Sequence, residues 1–196
     1  MNDKTFKQIL EDETEIRVLN DFCHYGKLGE FIVIPVRGSD DAEDWKRNLK
    51  ADFGGELIGR IESMLMIKGH RFKKIILTAH SRGAPMALKM ASKLSALGFN
   101  VEMVVTFASP MVRNPTYSSS AFTHYRFVNG RDGVPSTPLL IQRMFTKGSW
   151  GHYGKLIHMN KPSWWFSWAK VSGTIKDHLI TSYREAFKKH YGMISV

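Results

Sequence analysis

Short β-branched apolar runs alternate along the chain with stretches of helical apolar spacing, and that alternation constrains the fold more than any other feature. Phe31-Ile-Val-Ile-Pro-Val36 ends at Arg37-Gly38, and Lys74-Ile-Ile-Leu-Thr-Ala79 ends at His80-Ser81; both read as buried parallel strands. Between them, Glu56 to Met66 carries Leu57, Ile61, Met64 and Leu65 on one side of a helix, with Gly69 as a natural stop. Ala84 to Leu97 repeats the pattern with Met86, Met90, Leu94 and Leu97, Gly98 closes it, and Val101 to Phe107 follows as a third strand. His124 to Val128 is a fourth. The pattern predicts an α/β fold with a mostly parallel central sheet and helices on both faces. Function in such sheets gathers at the carboxyl ends of the strands. No linker or shift in composition divides the 196 residues, so the reading is one domain over 1–196.

No apolar stretch approaches the roughly 18 residues of a membrane-spanning helix. The charged segment Met1 to Arg17 lacks the basic-then-apolar order of a signal peptide, so a cytoplasmic location is expected. The single cysteine, Cys23, fits a reducing compartment and reads as a small buried hydrophobe. A formal charge of +10 draws the chain to anionic surfaces, phospholipid or nucleic acid alike. Zinc-ligand cysteine spacing, an RNA-binding aromatic signature and a phosphate-loop pattern are all missing from the sequence, so a specific nucleic-acid module is not expected. Oligomeric state does not follow from any of these features.

Ala79-His80-Ser81-Arg82-Gly83 lies where a buried strand meets a helix and matches G-x-S-x-G with alanine in the first glycine position. Such a strained turn needs small residues two before and two after the serine, because the neighbouring backbone comes into contact there. The bland alternative is a serine that caps a helix. If Ser81 is a nucleophile, its acid and histidine follow it in the chain. The carboxylates beyond it are Glu102, Asp132, Asp177 and Glu185. Glu102 opens a strand, at the end away from the chemistry, whereas Asp132 follows the fourth strand in Asn129-Gly130-Arg131-Asp132-Gly133. Asp177 points about 100° away from its neighbour His178 on a helix and suits a capping role.

Among the later histidines, His178 opens the last amphipathic helix, whose Leu179, Tyr183, Ala186 and Phe187 are expected to pack on the sheet. His152, in Trp150-Gly-His-Tyr-Gly154, competes with it, and His190 near the chain end reads as solvated. The chemistry explains the division of labour: a serine hydroxyl is a poor nucleophile until a histidine removes its proton, and a carboxylate fixes the imidazole tautomer. The oxyanion needs donors as well, for which the N–H of Arg82 and the loop at Ser39 are suitably placed.

With these residues assembled, the chain from about Phe31 to the last helix resembles the class 3 lipases, the family of fungal triacylglycerol lipases and related enzymes. Val36-Arg-Gly-Ser39 with Trp45 is similar to the family's oxyanion segment, Ala79 to Gly83 to its elbow, and Thr106-Phe-Ala-Ser-Pro110 through Asn114 to the stretch after the nucleophile helix. Asp132 to Pro135 reproduces the Asp-x-Val-Pro of its aspartate segment, and Asp177-His178-Leu179 resembles the segment that carries its histidine. The resemblance implies a single-domain α/β-hydrolase with the triad Ser81, Asp132 and His178, and Ser39 and Arg82 at the oxyanion hole. Ala79 and Ala84 depart from glycines common in the family, and Arg82 replaces a usual apolar residue. That arginine either favours an anionic substrate or serves a salt bridge. The connection from Ser39 to Ser81 is short for the helical lid of secreted members.

Pro162-Ser-Trp-Trp-Phe-Ser-Trp168 lies between acid and histidine, where loops border an active-site mouth. Trp164, Trp165, Phe166 and Trp168 suit a membrane interface, being apolar rings with a wet edge, and suit a core or dimer contact equally. Together with the basic charge they make a lipid ester, acylglycerol or phospholipid, the expected substrate, with peripheral binding to an anionic membrane. Two other classes stay open: an esterase or thioesterase on a soluble substrate, and a non-catalytic basic module that holds membrane or nucleic acid. The proposed chemistry requires no metal and no organic cofactor.

Overall fold

The computed structural model describes residues 15–20, 23–28, 30–36, 54–67, 69–113, 121–130, 132–136, 149–160 and 175–192. Their elements in chain order are strands β1 (Glu15–Asn20), β2 (Cys23–Leu28) and β3 (Phe31–Val36), helix α1 (Gly54–Ile67), β4 (Lys74–His80), α2 (Gly83–Ala96), β5 (Val101–Phe107) and β6 (Val112–Arg113). Then come β7 (Thr123–Asn129), a 3-10 turn (Val134–Ser136), β8 (Trp150–Gly151), β9 (Lys155–Met159), α3 (Ile175–His178) and α4 (Ile180–His190).

Seven strands form one sheet in the order β1-β2-β3-β4-β5-β7-β9, and β6 pairs with β8 in a small second sheet. From β3 to β9 all neighbours are parallel, with Ile34 beside Leu77, Leu77 beside Val104, Thr106 beside Arg126 and Phe127 beside Ile157. The four strands expected from the sequence are these parallel ones, apart from β9. The antiparallel β1–β2 hairpin and its join to β3 were not expected, because EIRVLN and CHYGKL are too polar to read as buried strands.

Side-chain alternation on the parallel strands splits the core in two. Ile32, Ile34, Ile75, Leu77 and Ala79 face one way, toward Ile61 and Leu65 of α1 and Ala87, Leu88, Ala91 and Leu94 of α2. Ile76, Met103, Val105, Phe127 and Met159 face the other way, toward Tyr183, Ala186 and Phe187 of α4. Helices therefore cover both faces, as the apolar spacing implies. Leu179 departs from that expectation: the helix breaks there at an extended backbone (φ −60°, ψ 140°), and its side chain is half exposed rather than packed on the sheet. His178 accordingly ends a short helix instead of opening a long one.

Among the described residues no helix is long and apolar enough to cross a membrane. Ser39, Trp164, Trp165, Phe166 and Trp168 lie outside the described residues, as does the side chain of Cys23.

One glycine is held by both conformation and space. Gly154 heads β9 at φ +91°, and a Cβ there would meet the His124 ring and come within 2.7 Å of the His124 carbonyl oxygen. Gly154→Ala is expected to destabilise the protein by at least ~2 kcal/mol, combining left-handed strain with a backbone clash. The expected readout is a lower urea midpoint at an unchanged m-value; an unshifted midpoint would contradict the packing of His124 against this turn.

Candidate active site

Strand β4 runs straight into α2 through a single residue of the wrong hand. Ser81 has φ +54°, a conformation that costs a non-glycine residue roughly 1–2 kcal/mol, and two hydrogen bonds hold it. Its N–H donates to Phe107 O at 2.8 Å on the neighbouring strand, and its carbonyl accepts the Ala84 N–H at 3.1 Å in the first turn of α2. Ala79, Gly83 and Ala84, the small residues around the turn, are all buried. The turn leaves the side chain of Ser81 at the carboxyl edge of the sheet, facing the α3–α4 break.

His178 comes from that break. Its Nε2 lies 3.0 Å from Ser81 Oγ, and its Nδ1 lies 3.1 and 3.0 Å from the two carboxylate oxygens of Asp132. An ionised carboxylate can only accept, so the proton sits on Nδ1 and Nε2 is left to accept from the Ser81 hydroxyl. The Asp132 carboxyl group is fully buried while His178 keeps about a quarter of its side chain exposed, at 24%. Burial pushes Asp132 up, but hydrogen bonds from His178, Tyr183 and the Val134 N–H outweigh that and hold its pKa below the ordinary carboxylate value.

Tyr183, in the first turns of α4 after the break at Leu179, closes the arrangement from below. Its hydroxyl donates to Asp132 Oδ2 at 2.7 Å and accepts the Asn129 N–H at 3.1 Å. Burial, then the neighbouring Asp132 charge, push its pKa up, so it stays a donor. The Asp132 loop is further fixed by its own N–H to Asn129 O (3.0 Å) and by the Val134 N–H to Asp132 Oδ1 (2.9 Å). His158 Nε2 donates to Gly130 O at 3.1 Å and His152 Nε2 to Pro135 O at 2.8 Å. His152, the competitor for the histidine role, thus braces the far end of the Asp132 loop, and it is His178 that lies against Ser81.

His80 is the residue that sequence reasoning passed over. Strand alternation turns it to the opposite side from Ala79, where its Nε2 donates to the backbone carbonyl of His178 at 2.9 Å and its ring lies 4.9 Å from the His178 ring. The signal was its position between a buried strand and Ser81, but nothing in the sequence named its partner. Arg82 follows Ser81 directly, so its N–H lies at the head of α2. Asp177 points away from this constellation: its carboxylate stands over Gly130, where a Cβ would approach to 2.9 Å. Asp177 lines an open polar cleft of about 500 Å³ with Asn129, Asn160, Glu185 and Lys189. Among the described residues no group of three or more His, Cys, Asp or Glu side chains converges as a metal site.

A serine at a left-handed strand-to-helix turn, on a parallel sheet covered on both faces, defines an α/β-hydrolase fold. Residues 58–142, the segment that holds the elbow and Asp132, match the family model of the class 3 lipases. Solved structures agree on the fold. A fungal lipase in complex with an inhibitor aligns at 21% identity and a TM-score of 0.57, over 75% of this chain and 67% of that one. The Rhizomucor miehei lipase with its propeptide aligns at 21% and 0.54, over 76% of this chain and 56% of that one. The mono- and diacylglycerol lipase from Aspergillus oryzae aligns at 19% and 0.50, over 78% and 61%. The chain thus spans between about half and two thirds of the length of these relatives. No curated protein matches it by sequence.

A half-buried histidine, His80, and a buried one, His124, make stability depend on pH. Burial, with the His178 imidazole beside it, lowers His80 from 6.5 to about 4; burial, with Arg126 beside it, lowers His124 from 6.5 to about 4. The unfolded chain therefore binds more protons than the folded one between those values, so stability falls as pH falls from about 6.5 to about 4. Each contributes up to ~3 kcal/mol. Urea unfolding at pH 7, 5.5 and 4 is expected to show this loss, and His80→Gln to flatten it; an unchanged slope in His80→Gln would show that His80 is not held neutral.

Proposed function

We propose that the protein is a serine-dependent carboxylic ester hydrolase acting on lipid esters, with Ser81 as nucleophile, His178 as general base and acid, and Asp132 as the orienting carboxylate. One observation carries the reading: His178 spans the 3.0 Å gaps to Ser81 Oγ and to buried Asp132, with the serine on a strained turn. In this reading Ser81 Oγ attacks the ester carbonyl as its proton passes to His178 Nε2. The tetrahedral oxyanion is met by the Arg82 N–H and by Ser39. His178 returns the proton to the leaving alkoxide, which departs as an alcohol. Water, deprotonated by the same nitrogen, then attacks the acyl-enzyme and frees the acid and Ser81. No metal or cofactor enters these steps.

Support for an apolar acyl group comes from beside the histidine. Leu179 and Ile180 are 50% and 55% exposed directly after His178, so apolar surface borders the serine without a share in the core. Arg82 adds a positive charge next to the nucleophile, which suits an anionic phospholipid. In the proposal the single domain over 1–196 takes a lipid ester at its mouth, with Trp164, Trp165, Phe166 and Trp168 as contacts for the lipid. Its lone Cys23 fits a reducing compartment such as the cytoplasm.

The test is hydrolysis of p-nitrophenyl esters from acetate to palmitate and of phospholipid vesicles. Ser81→Ala and His178→Ala are each expected to lose about 10⁴-fold or more in kcat, and Asp132→Asn to lose on the order of 10⁴-fold through the wrong tautomer. Wild-type preference for long chains and aggregated substrate supports a lipase; equal turnover of short soluble esters points to a soluble esterase. Wild-type turnover that survives in Ser81→Ala would overturn the mechanism.

A further inference from the structure

The amino-terminal edge of the sheet, opposite Ser81, carries a surface that the proposed chemistry does not use. The turn from α1 to β4 is tight: His70 N–H donates to Leu65 O at 2.8 Å, Gly69 N–H to Met66 O at 3.1 Å, and Lys73 N–H to His70 O at 3.0 Å. A turn tied down in this way could bury its apolar residues, yet Ile67 is 85% and Phe72 88% exposed, the two most exposed large hydrophobics among the described residues. Arg71 and Lys73 stand exposed on either side of Phe72. Lys74 is engaged, 3.2 Å from Glu30 and over the Phe31 ring.

Topology concentrates charge at the same edge. Helices α1, α2 and α4 all run antiparallel to the strands they cover, so their last turns meet there. Lys93 lies in the last turn of α2, and Lys188 and Lys189 in the last turn of α4.

We propose that this edge is a docking surface for an anionic phospholipid bilayer, with Ile67 and Phe72 inserted among the acyl chains and Arg71 and Lys73 at the headgroup phosphates. Charge complementarity and the apolar tips argue together. A phosphate surface alone would reward the cations but not an exposed isoleucine, whereas a bilayer rewards both. Strand β4 separates this turn from Ser81 by seven residues, Lys74–His80, or about 20 Å at about 3.3 Å per residue. Docking would therefore hold the catalytic mouth away from the bilayer that binds the protein, making membrane attachment and turnover separable. The inference does not depend on the hydrolase reading.

The experiment is co-sedimentation of the full chain with vesicles of phosphatidylcholine alone, and with about one lipid in three replaced by phosphatidylglycerol. Wild type is expected to bind the anionic vesicles and not the neutral ones. Ile67→Ser with Phe72→Ser, and separately Arg71→Glu with Lys73→Glu, are each expected to weaken binding at least tenfold, with p-nitrophenyl acetate hydrolysis and circular dichroism unchanged. Lys89→Glu with Arg184→Glu, a charge-matched control away from the turn, is expected to cost less than threefold. Failure of wild type to bind, or equal loss in the control, would overturn the proposal by leaving only general charge. Retained binding in the Ile67/Phe72 variant would overturn it in favour of another surface, such as the tryptophan segment. Tighter Phe72-dependent binding to RNA than to vesicles would reassign the surface to nucleic acid.

Discussion

The left-handed turn at Ser81 is the constraint on which the rest of the site depends. A strand can enter a helix this abruptly only if one residue takes a positive φ. That strain persists because β5 supplies the Phe107 carbonyl to the Ser81 N–H and α2 closes immediately on the Ser81 carbonyl. The same geometry explains the small neighbours. Ala84 and Ala87 are fully buried on the face of α2 toward the sheet, so the helix starts close to β4, and a larger residue would push the elbow open. Ala79, standing where the family commonly has glycine, adds a methyl that the core absorbs at 4% exposure.

A second constraint acts from the other side of the sheet. Asp132 is buried and its carboxylate has to be satisfied, which it is by His178, by the Tyr183 hydroxyl and by the Val134 N–H. Tyr183 belongs to α4, the helix whose Ala186 and Phe187 pack on Met103, Val105 and Phe127. The orientation of the acid is thereby tied to the packing of the whole second core. His80 adds a tie in the opposite direction, from the strand that ends at Ser81 to the carbonyl of His178. Because burial keeps His80 uncharged down to about 4, the tie neither adds a positive charge beside the His178 ring nor breaks at neutral pH. Serine strand and histidine segment are thus fixed to each other by a backbone contact as well as through the Ser81–His178 hydrogen bond.

The parallel strands other than β9, and the two helices between them, were legible because their residues carry one period throughout: Ile32 and Ile34 alternate, and Ile61 and Leu65 recur at four. The order serine, acid, histidine followed from topology. What stayed hidden shares a different cause. The β1–β2 hairpin joins the sheet by pairing to β3, and its segments EIRVLN and CHYGKL carry no apolar run that would announce a strand. The partners of His80, His152 and His158 are backbone carbonyls, at His178, Pro135 and Gly130, and a carbonyl is present at every residue, so the sequence cannot point to one. Tyr183 was read as packing, which it is; its hydroxyl partner lies 51 positions away. Leu179 was misread because helical periodicity continues through a break that only the backbone reveals.

The polarity of a parallel sheet finally bears on how such a chain can divide its surface. The carboxyl ends of the parallel strands β3, β4, β5, β7 and β9 lie on one edge, where Ser81 and Asp132 follow their strands. The helices that return the chain between strands necessarily end on the other edge, and helix carboxyl termini favour cations through the backbone dipole. Lys93 at the end of α2 and Lys188, Lys189 and His190 at the end of α4 follow that preference. A basic edge opposite Ser81 is therefore a low-cost outcome of the topology and needs no partner to explain it. Exposed Ile67 and Phe72 do not follow from the dipole or from the turn's hydrogen bonds. It is the apolar pair, rather than the charge around it, that makes this edge more than a by-product of the fold.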